Sequence, residues 1–528
     1  MVRRIFNAIL EAIETPFRKD LPFFLIIWAF SSLPDIAVEM AKGFPLRALY
    51  YALFYYAFDF LILFVIDIFK YFRNPLKQIL FWILALYTIV NIYCIYTYHT
   101  RLTHNFIEIF SNTNLSELRE YFSMYITPAH YYVIALYLIV CTIISRIISK
   151  CNHSRKNYPR HFPTILLIVS CISIALNKDV RPEMYVWYMN LDDIANPAMF
   201  PTNPVLENTD SLSSDFPQAV IILGESFSPS HSSLYGYDKP TNPLLMHRAQ
   251  NEGLLIFNNI ISPASNTSTT FKYLLNTYLP GQEDTLKWYK TTNLIEVLNT
   301  AGYSTMWLSN QAKTGLFNNI SSSYSALCDT AIFIREFNDD RSFDEQLIAL
   351  DNAQTSDKKA VFYHLMGQHP VFSERYPEKF NIFTSNDYCQ YTPQQADIIA
   401  CYDNSILYND YVVDQIIEKY SDKNAIIFYL SDHGLDLFDT DPNYCGHATA
   451  DERSQKIARH IPFMVYMSPQ YLERYPLRAQ RIRQNVNTDY CTDKLIYTVM
   501  DALGVRFNEN DDVNRFSLFS TKQNPDSL

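Results

Sequence analysis

Residues 425–434 read AIIFYLSDHG, six almost purely apolar residues rich in Ile, Phe and Tyr followed by Ser431, Asp432, His433 and Gly434. An apolar run without polar alternation predicts a strand buried on both faces, the kind a parallel sheet uses. Where that strand opens into a loop, Asp432 and His433 offer a carboxylate oxygen and an imidazole nitrogen side by side, half of a metal site. The plainer alternative is a turn carrying a stray Asp-His pair. What separates the two is whether matching ligands stand at other strand ends.

From Ala219 onward short apolar runs alternate with helical segments, the signature of a layered α/β domain. Strands are predicted at Ala219–Leu223, Leu254–Phe257, Ser304–Leu308, Ala360–Leu365, Ala425–Leu430 and Pro462–Met467. Helices are predicted at Ser268–Tyr278, Leu294–Ala301 (Gly302 closing it), Asn404–Tyr420 and Thr492–Leu503 (closed by Gly504). The first strand runs into Gly224-Glu225-Ser226, the fourth into Met366-Gly367-Gln368-His369, and the turn after Asp432 delivers His447. Open α/β sheets bind ligands at such strand ends. Glu225, Asp432 and His433 make an O, O, N set that suits zinc, and His369 and His447 lie on separate loops beside it. The stretch Ile261–Thr267 leads into the helix expected from Ser268. A hydroxyl there would see the positive end of the helix dipole, and a metal would activate it as a nucleophile. Thr267 as a simple helix cap is the competing reading, and Ser268, Thr269 and Thr270 compete for the nucleophile's role.

The 528-residue chain carries a net charge of −11, unevenly spread. Residues 1–178 hold 17 Lys+Arg against 10 Asp+Glu, and the remainder holds 26 against 44. The acidic C-terminal part argues against nucleic acid as a partner. Five apolar stretches, roughly Leu21–Val38, Leu46–Phe69, Ile79–Tyr98, Ala129–Ile148 and Phe162–Leu176, predict a bundle of five transmembrane helices. A buried soluble bundle would need five such runs in succession, which is rare. No cleavable signal peptide is expected, because Asp20 and the charged start do not fit one. Arg3, Arg4, Arg18 and Lys19 precede the first span; Lys70, Arg73 and Lys77 follow the second; Arg146, Lys150, Arg155, Lys156 and Arg160 follow the fourth. The positive-inside rule then places everything after Leu176 outside the cytoplasm.

The expected layout is a transmembrane domain over 1–178, a Pro/Asn/Asp/Ser-rich connector over 179–218 with interfacial Tyr185, Trp187 and Tyr188, and an extracytoplasmic domain over 219–528. Between spans three and four, Asn112-Thr113-Asn114 followed by Glu117 predicts a capped helix at the membrane surface. Of nine cysteines, Cys389 and Cys401 in a polar loop are the best candidates for a disulfide.

The motifs ILGES (Ile222–Ser226), SLYGYDKPTNPLL (Ser233–Leu245), LMGQHPVFSERYP (Leu365–Pro377), CYDNS (Cys401–Ser405), YLSDHG (Tyr429–Gly434) and GHA (Gly446–Ala448) come in one order. With the five spans, they resemble the membrane-bound phosphoethanolamine transferases that modify bacterial lipopolysaccharide, mobile colistin-resistance enzymes included. Those belong to the alkaline phosphatase/sulfatase-like superfamily. The resemblance implies a multi-pass inner-membrane protein with an α/β sulfatase-like catalytic domain in the periplasm. It implies Glu225, Asp432, His433 and Thr267 as zinc ligands, with Thr267 also the nucleophile that carries phosphoethanolamine. It implies His369 and His447 as the pair that steadies and protonates the phosphoryl group, with one zinc ion expected and a second in turnover left open. Asn310 and Lys313, and in the membrane part Thr113 and Glu117, are implied to line the donor site. The donor implied is phosphatidylethanolamine, and the acceptor lipid A or another part of lipopolysaccharide, with the protein a monomer. One departure is that Thr267 lies in Ala264-Ser265-Asn266-Thr267, without the paired cysteines of better-known members, so it is placed by its surroundings.

A phosphoglycerol transferase resembling lipoteichoic acid synthases is the nearest alternative; ILGES and RYP favour phosphoethanolamine. A sulfatase needs a C/S-x-P-x-R motif, which the sequence lacks. A degenerate membrane sensor would not retain the full set of metal-site side chains.

Overall fold

The computed structural model of the chain describes residues 2–69, 71–103, 106, 113, 118–119, 121–122, 126–150, 162–177, 216–282, 286–313, 320–335, 342–353, 357–447, 449, 451–506 and 512–520. The connector expected over 179–218, with its three aromatics, lies almost wholly outside these residues, as do Asn112, Asn114, Glu117, Arg155, Lys156 and Arg160. The chain separates into two compact units, Met1–Ile107 with Ile126–Leu191, and Glu108–Tyr125 with Asp192–Leu528.

The first unit holds helices α1 (Val2–Ala41), α2 (Pro45–Ile68), α3 (Arg73–Tyr98), α4 (Pro128–Lys150) and α5 (Phe162–Leu176). Asp20 breaks α1 with φ −134° and ψ 30°, and its carboxylate is held by Arg73 and by Lys77 at 2.7 Å. Among the described residues four helices are long and apolar enough to cross a membrane: Asp20–Ala41, α2, α3 and Pro128–Ile148. The fifth expected span, α5, has 15 residues, about 22 Å of helix against a hydrocarbon core of about 30 Å. Around a buried apolar core this unit also exposes large apolar residues: Leu46, Leu86 and Leu176 are 81%, 65% and 78% exposed. Its polar groups face inward, where Ser31 donates to Asp59 at 2.5 Å and Tyr55 to Asp35 at 2.6 Å. Lipid outside and hydrogen bonds inside explain that arrangement.

The second unit is built on a seven-stranded sheet: β1 (Gln218–Gly224), β2 (Leu255–Phe257), β3 (Ser304–Ser309), β4 (Thr330–Phe333), β5 (Lys359–His364), β6 (Ala425–Ser431) and β7 (Phe463–Met467). The order across the sheet is β2-β7-β6-β1-β5-β3-β4, parallel throughout except that β7 runs antiparallel to both neighbours. All seven residues of β6 are buried, as the unbroken apolar run requires. Leu223 pairs with His364 on one side and Leu430 on the other, so β1, β5 and β6 end level with one another.

The six predicted strands are present to within one residue at each end, and β4 is additional. Helices of this unit include α6 (Pro243–Asn251), α7 (Thr267–Leu274), α8 (Leu294–Thr300) and α9 (Pro393–Tyr420). α9 begins eleven residues before the predicted Asn404 because Thr392 and Gln395 form a capping box ahead of Pro393. That early start corrects the expected disulfide. Cys401 lies within α9, Cys389 lies in the turn before it donating to the Asn386 carbonyl at 3.0 Å, and both thiols are free.

Candidate metal centre

Two level strand ends bring Glu225 (after β1), Asp432 and His433 (after β6) to one point, with ligand atoms within 4.8 Å of one another. His433 Nε2 lies 3.4 Å from Glu225 Oε1 and 3.5 Å from Asp432 Oδ2. All three residues are buried. Both carboxylates are tied back into the frame. Asp432 Oδ1 accepts the backbone N–H of Ser226 at 3.1 Å and of His433 at 2.7 Å, and Glu225 Oε1 accepts Ser226 Oγ at 2.7 Å.

The nucleophile candidate comes from α7, which begins at Thr267 rather than at Ser268. Asn266 is the cap: its Oδ1 accepts the N–H of Thr269 at 2.9 Å. Thr267 is thereby spared capping, and its Oγ1 lies 3.2 Å from Glu225 Oε2 and 3.3 Å from His433 Nε2. Of the competing hydroxyls, Ser268 and Thr270 are buried, and Thr270 Oγ1 is 3.0 Å from Ser262 Oγ.

The three histidines share one device. Nδ1 of His433 lies 2.8 Å from the Gly434 carbonyl, Nδ1 of His369 is 2.6 Å from the Pro370 carbonyl, and Nδ1 of His447 is 2.6 Å from the Ser265 carbonyl. A carbonyl only accepts, so each Nδ1 carries the hydrogen and each Nε2 keeps its lone pair. The His433 and His447 rings stack with centroids 4.2 Å apart.

Electrostatically the cluster is incomplete as bare protein. Burial, then the neighbouring Asp432, raises the Glu225 carboxyl, and burial pushes Asp432 up to about 6. Burial lowers all three imidazoles, His369 to about 4 and His447 well below the ordinary range, so protonated histidine does not balance the two carboxylates. Asp432 Oδ2 is buried and accepts no hydrogen bond among the described residues. Two buried carboxylates, one orphaned oxygen and an imidazole held with Nε2 open are what a divalent cation with mixed O and N ligands resolves. The residues fit zinc.

The loop after β5 closes over this centre. Asp344 accepts the N–H of Met366 at 2.8 Å and of Gly367 at 3.0 Å, folding the chain so that Gln368 N–H reaches the Glu225 carbonyl at 2.9 Å. Gly367 has φ +49°, and a Cβ there would stand 2.9 Å from the Glu225 nitrogen, so neither the conformation nor the space admits a side chain.

Among the residues expected to line a donor site, Asn310 is buried with its amide spent on Asp344 at 2.8 Å and on Ser342. Lys313 is exposed, its Nζ 6.0 Å from the Phe333 ring, Thr113 is half-buried, and Glu117 lies outside the described residues. The residue missed from sequence is Gln311, whose Nε2 reaches Glu225 Oε2 at 3.3 Å. Its only sequence signal is its place two residues beyond a strand end.

The sulfatase family model matches residues 217–505. Among curated proteins, phosphoethanolamine transferase EptC of Escherichia coli O18:K1:H7 is 28% identical over 326 residues, covering 58% of this chain and 54% of that protein. The chain thus spans about half the length of the curated relatives it matches. The solved C-terminal periplasmic domain of EcEptC from Escherichia coli, in complex with Zn, superposes with a TM-score of 0.55 at 25% identity, covering 61% of this chain and 91% of that one. The integral membrane protein lipooligosaccharide phosphoethanolamine transferase A from Neisseria meningitidis superposes with a TM-score of 0.63 at 18% identity, covering 93% of this chain and 98% of that one, a likeness of fold. The resemblance read from the motifs is borne out.

Proposed function

The chain belongs to the sulfatase family, and from that premise we propose that it is a membrane-bound phosphoethanolamine transferase. It moves phosphoethanolamine from phosphatidylethanolamine to lipopolysaccharide, on a lipid A phosphate or a core sugar, through a covalent intermediate on Thr267. In this reading five helices span the inner membrane, α5 included, the N-terminus is cytoplasmic, and the catalytic domain works in the periplasm as part of a monomer.

The observation that carries the proposal is the placement of Thr267: first residue of a helix capped by its neighbour, hydroxyl within 3.3 Å of His433 Nε2 and 3.2 Å of Glu225 Oε2. Glu225, Asp432, His433 and Thr267 would hold the zinc ion, which would supply Lewis acidity to the hydroxyl and to the phosphoryl oxygens. Thr267 Oγ1 forms the new bond to phosphorus as the bond to the diacylglycerol oxygen breaks. His369 and His447, each with Nδ1 turned to a main-chain carbonyl and Nε2 as the accepting nitrogen, take the hydroxyl proton and return it to the departing glyceride oxygen. In the second half-reaction an acceptor oxygen attacks the same phosphorus, the bond to Thr267 breaks, and the threonine is restored.

The test is mass spectrometry of lipopolysaccharide, separated into lipid A and core, from cells expressing the wild type or Thr267→Ala. A gain of one phosphoethanolamine with the wild type alone is expected. A gain with both would move the nucleophile elsewhere, and a glycerophosphate product would establish the phosphoglycerol alternative instead.

A further inference from the structure

Glu225 is gripped at both carboxylate oxygens. Ser226 Oγ takes Oε1 at 2.7 Å, from a backbone held at φ +56°, in the left-handed region that disfavours a side chain. Gln311 Nε2 takes Oε2 at 3.3 Å and also donates to the Leu365 carbonyl at 3.0 Å. A side-chain amide nitrogen carries two hydrogens, so both are committed, one to Glu225 and one to the main chain just beyond β5. The Gln311 backbone N–H donates to Ser309 Oγ at 3.1 Å, and that hydroxyl sits 3.0 Å from His364 Nδ1. Gln311 thus ties the ends of β1, β3 and β5 together beside the Glu225 carboxylate.

The oxygen Gln311 holds is the same Oε2 that Thr267 Oγ1 approaches at 3.2 Å. Without Gln311, Oε2 would keep the Thr267 hydroxyl as its donor, and the Glu225 carboxylate would lose its side-chain tie to the main chain just beyond β5. We propose that Gln311 is a positioning residue that fixes the Glu225 carboxylate for metal binding. The inference rests on the reading of Glu225 as a metal ligand and is independent of which group is transferred.

The full chain is purified in detergent and stripped of metal. Zinc affinity is then measured by competition with a chromogenic chelator for the wild type, Gln311→Leu and Gln311→Asn, alongside thermal melts of the metal-free proteins. Gln311→Leu is expected to bind zinc about 10- to 100-fold more weakly with the metal-free melt unchanged. Gln311→Asn, which keeps the amide on a shorter arm, should fall between. At saturating zinc, Gln311→Leu should lower kcat while leaving KM for the lipid donor unchanged. Should Gln311→Leu fail to fold, Gln311→Met poses the same question with an unbranched chain. A zinc affinity within twofold of the wild type in Gln311→Leu, or in Gln311→Met where that stands in, overturns the assignment of Gln311 and leaves the transferase reading intact. A product other than phosphoethanolamine does the reverse.

Discussion

At the residue scale, Asn266 and His364 show how much of the centre depends on groups that never meet a substrate. Asn266→Ala removes the cap of α7 and should cost about 1 kcal/mol of stability, while freeing the Thr267 hydroxyl to turn toward the backbone. Thermal melts should therefore fall modestly and transfer activity steeply; equal losses of both would count against the separation. His364, buried between Phe271 of α7 and Trp307 of β3, is pushed by burial down to about 3. Between pH 6.5 and about 3 the unfolded chain binds a proton that the folded imidazole refuses, so this group makes stability fall as pH falls, by up to ~1.4 kcal/mol per pH unit. His364→Gln should flatten the fall in melting midpoint between pH 7 and pH 5; parallel slopes would show that His364 takes no part. The clustering of Glu225, Asp432 and His433 was legible because all three stand just past strand ends. Gln311 was not, since beside Asn310 it offers the same neutral amide, and only the direction of each side chain tells them apart.

At the scale of elements, the loop after β5 is the most tightly specified piece. Gly367→Ala would push a Cβ into the Glu225 main chain at 2.9 Å, and the φ of +49° adds strain. A loss of transfer of at least tenfold, with weaker zinc binding, is expected; wild-type kinetics would mean the loop relaxes freely. The buried strands could be read in advance because a parallel strand covered on both faces has no reason to alternate. β4 escaped notice because it is four residues long at the edge of the sheet and only partly buried. The start of α9 was written in Thr392-Pro393 and Gln395, and its helical course through Cys401 is why proximity in sequence to Cys389 did not become a bond.

At the scale of the whole molecule, the charge division was visible at once: a basic apolar part and an acidic α/β part answer to different solvents. The count of spans was less secure, because length alone separates α5 from its four longer companions. Metal removal should be felt by the whole catalytic unit. A ligand present at a thousandfold its Kd stabilises the folded state by about 4 kcal/mol, so chelation should lower the melting midpoint by several degrees and readdition of zinc should restore it. An unchanged midpoint would indicate a centre that does not hold the ion in the resting protein.

The three imidazoles of the centre are each set by a main-chain carbonyl, those of Ser265, Pro370 and Gly434. Every amino acid presents the same carbonyl, so a substitution at 265 cannot by itself delete the group that fixes the neighbouring ring. Substitutions can therefore rework the rim of the site while the orientation of the three rings is kept. Side chains around the centre are thus open to exchange, and the frame that aims its imidazoles is not.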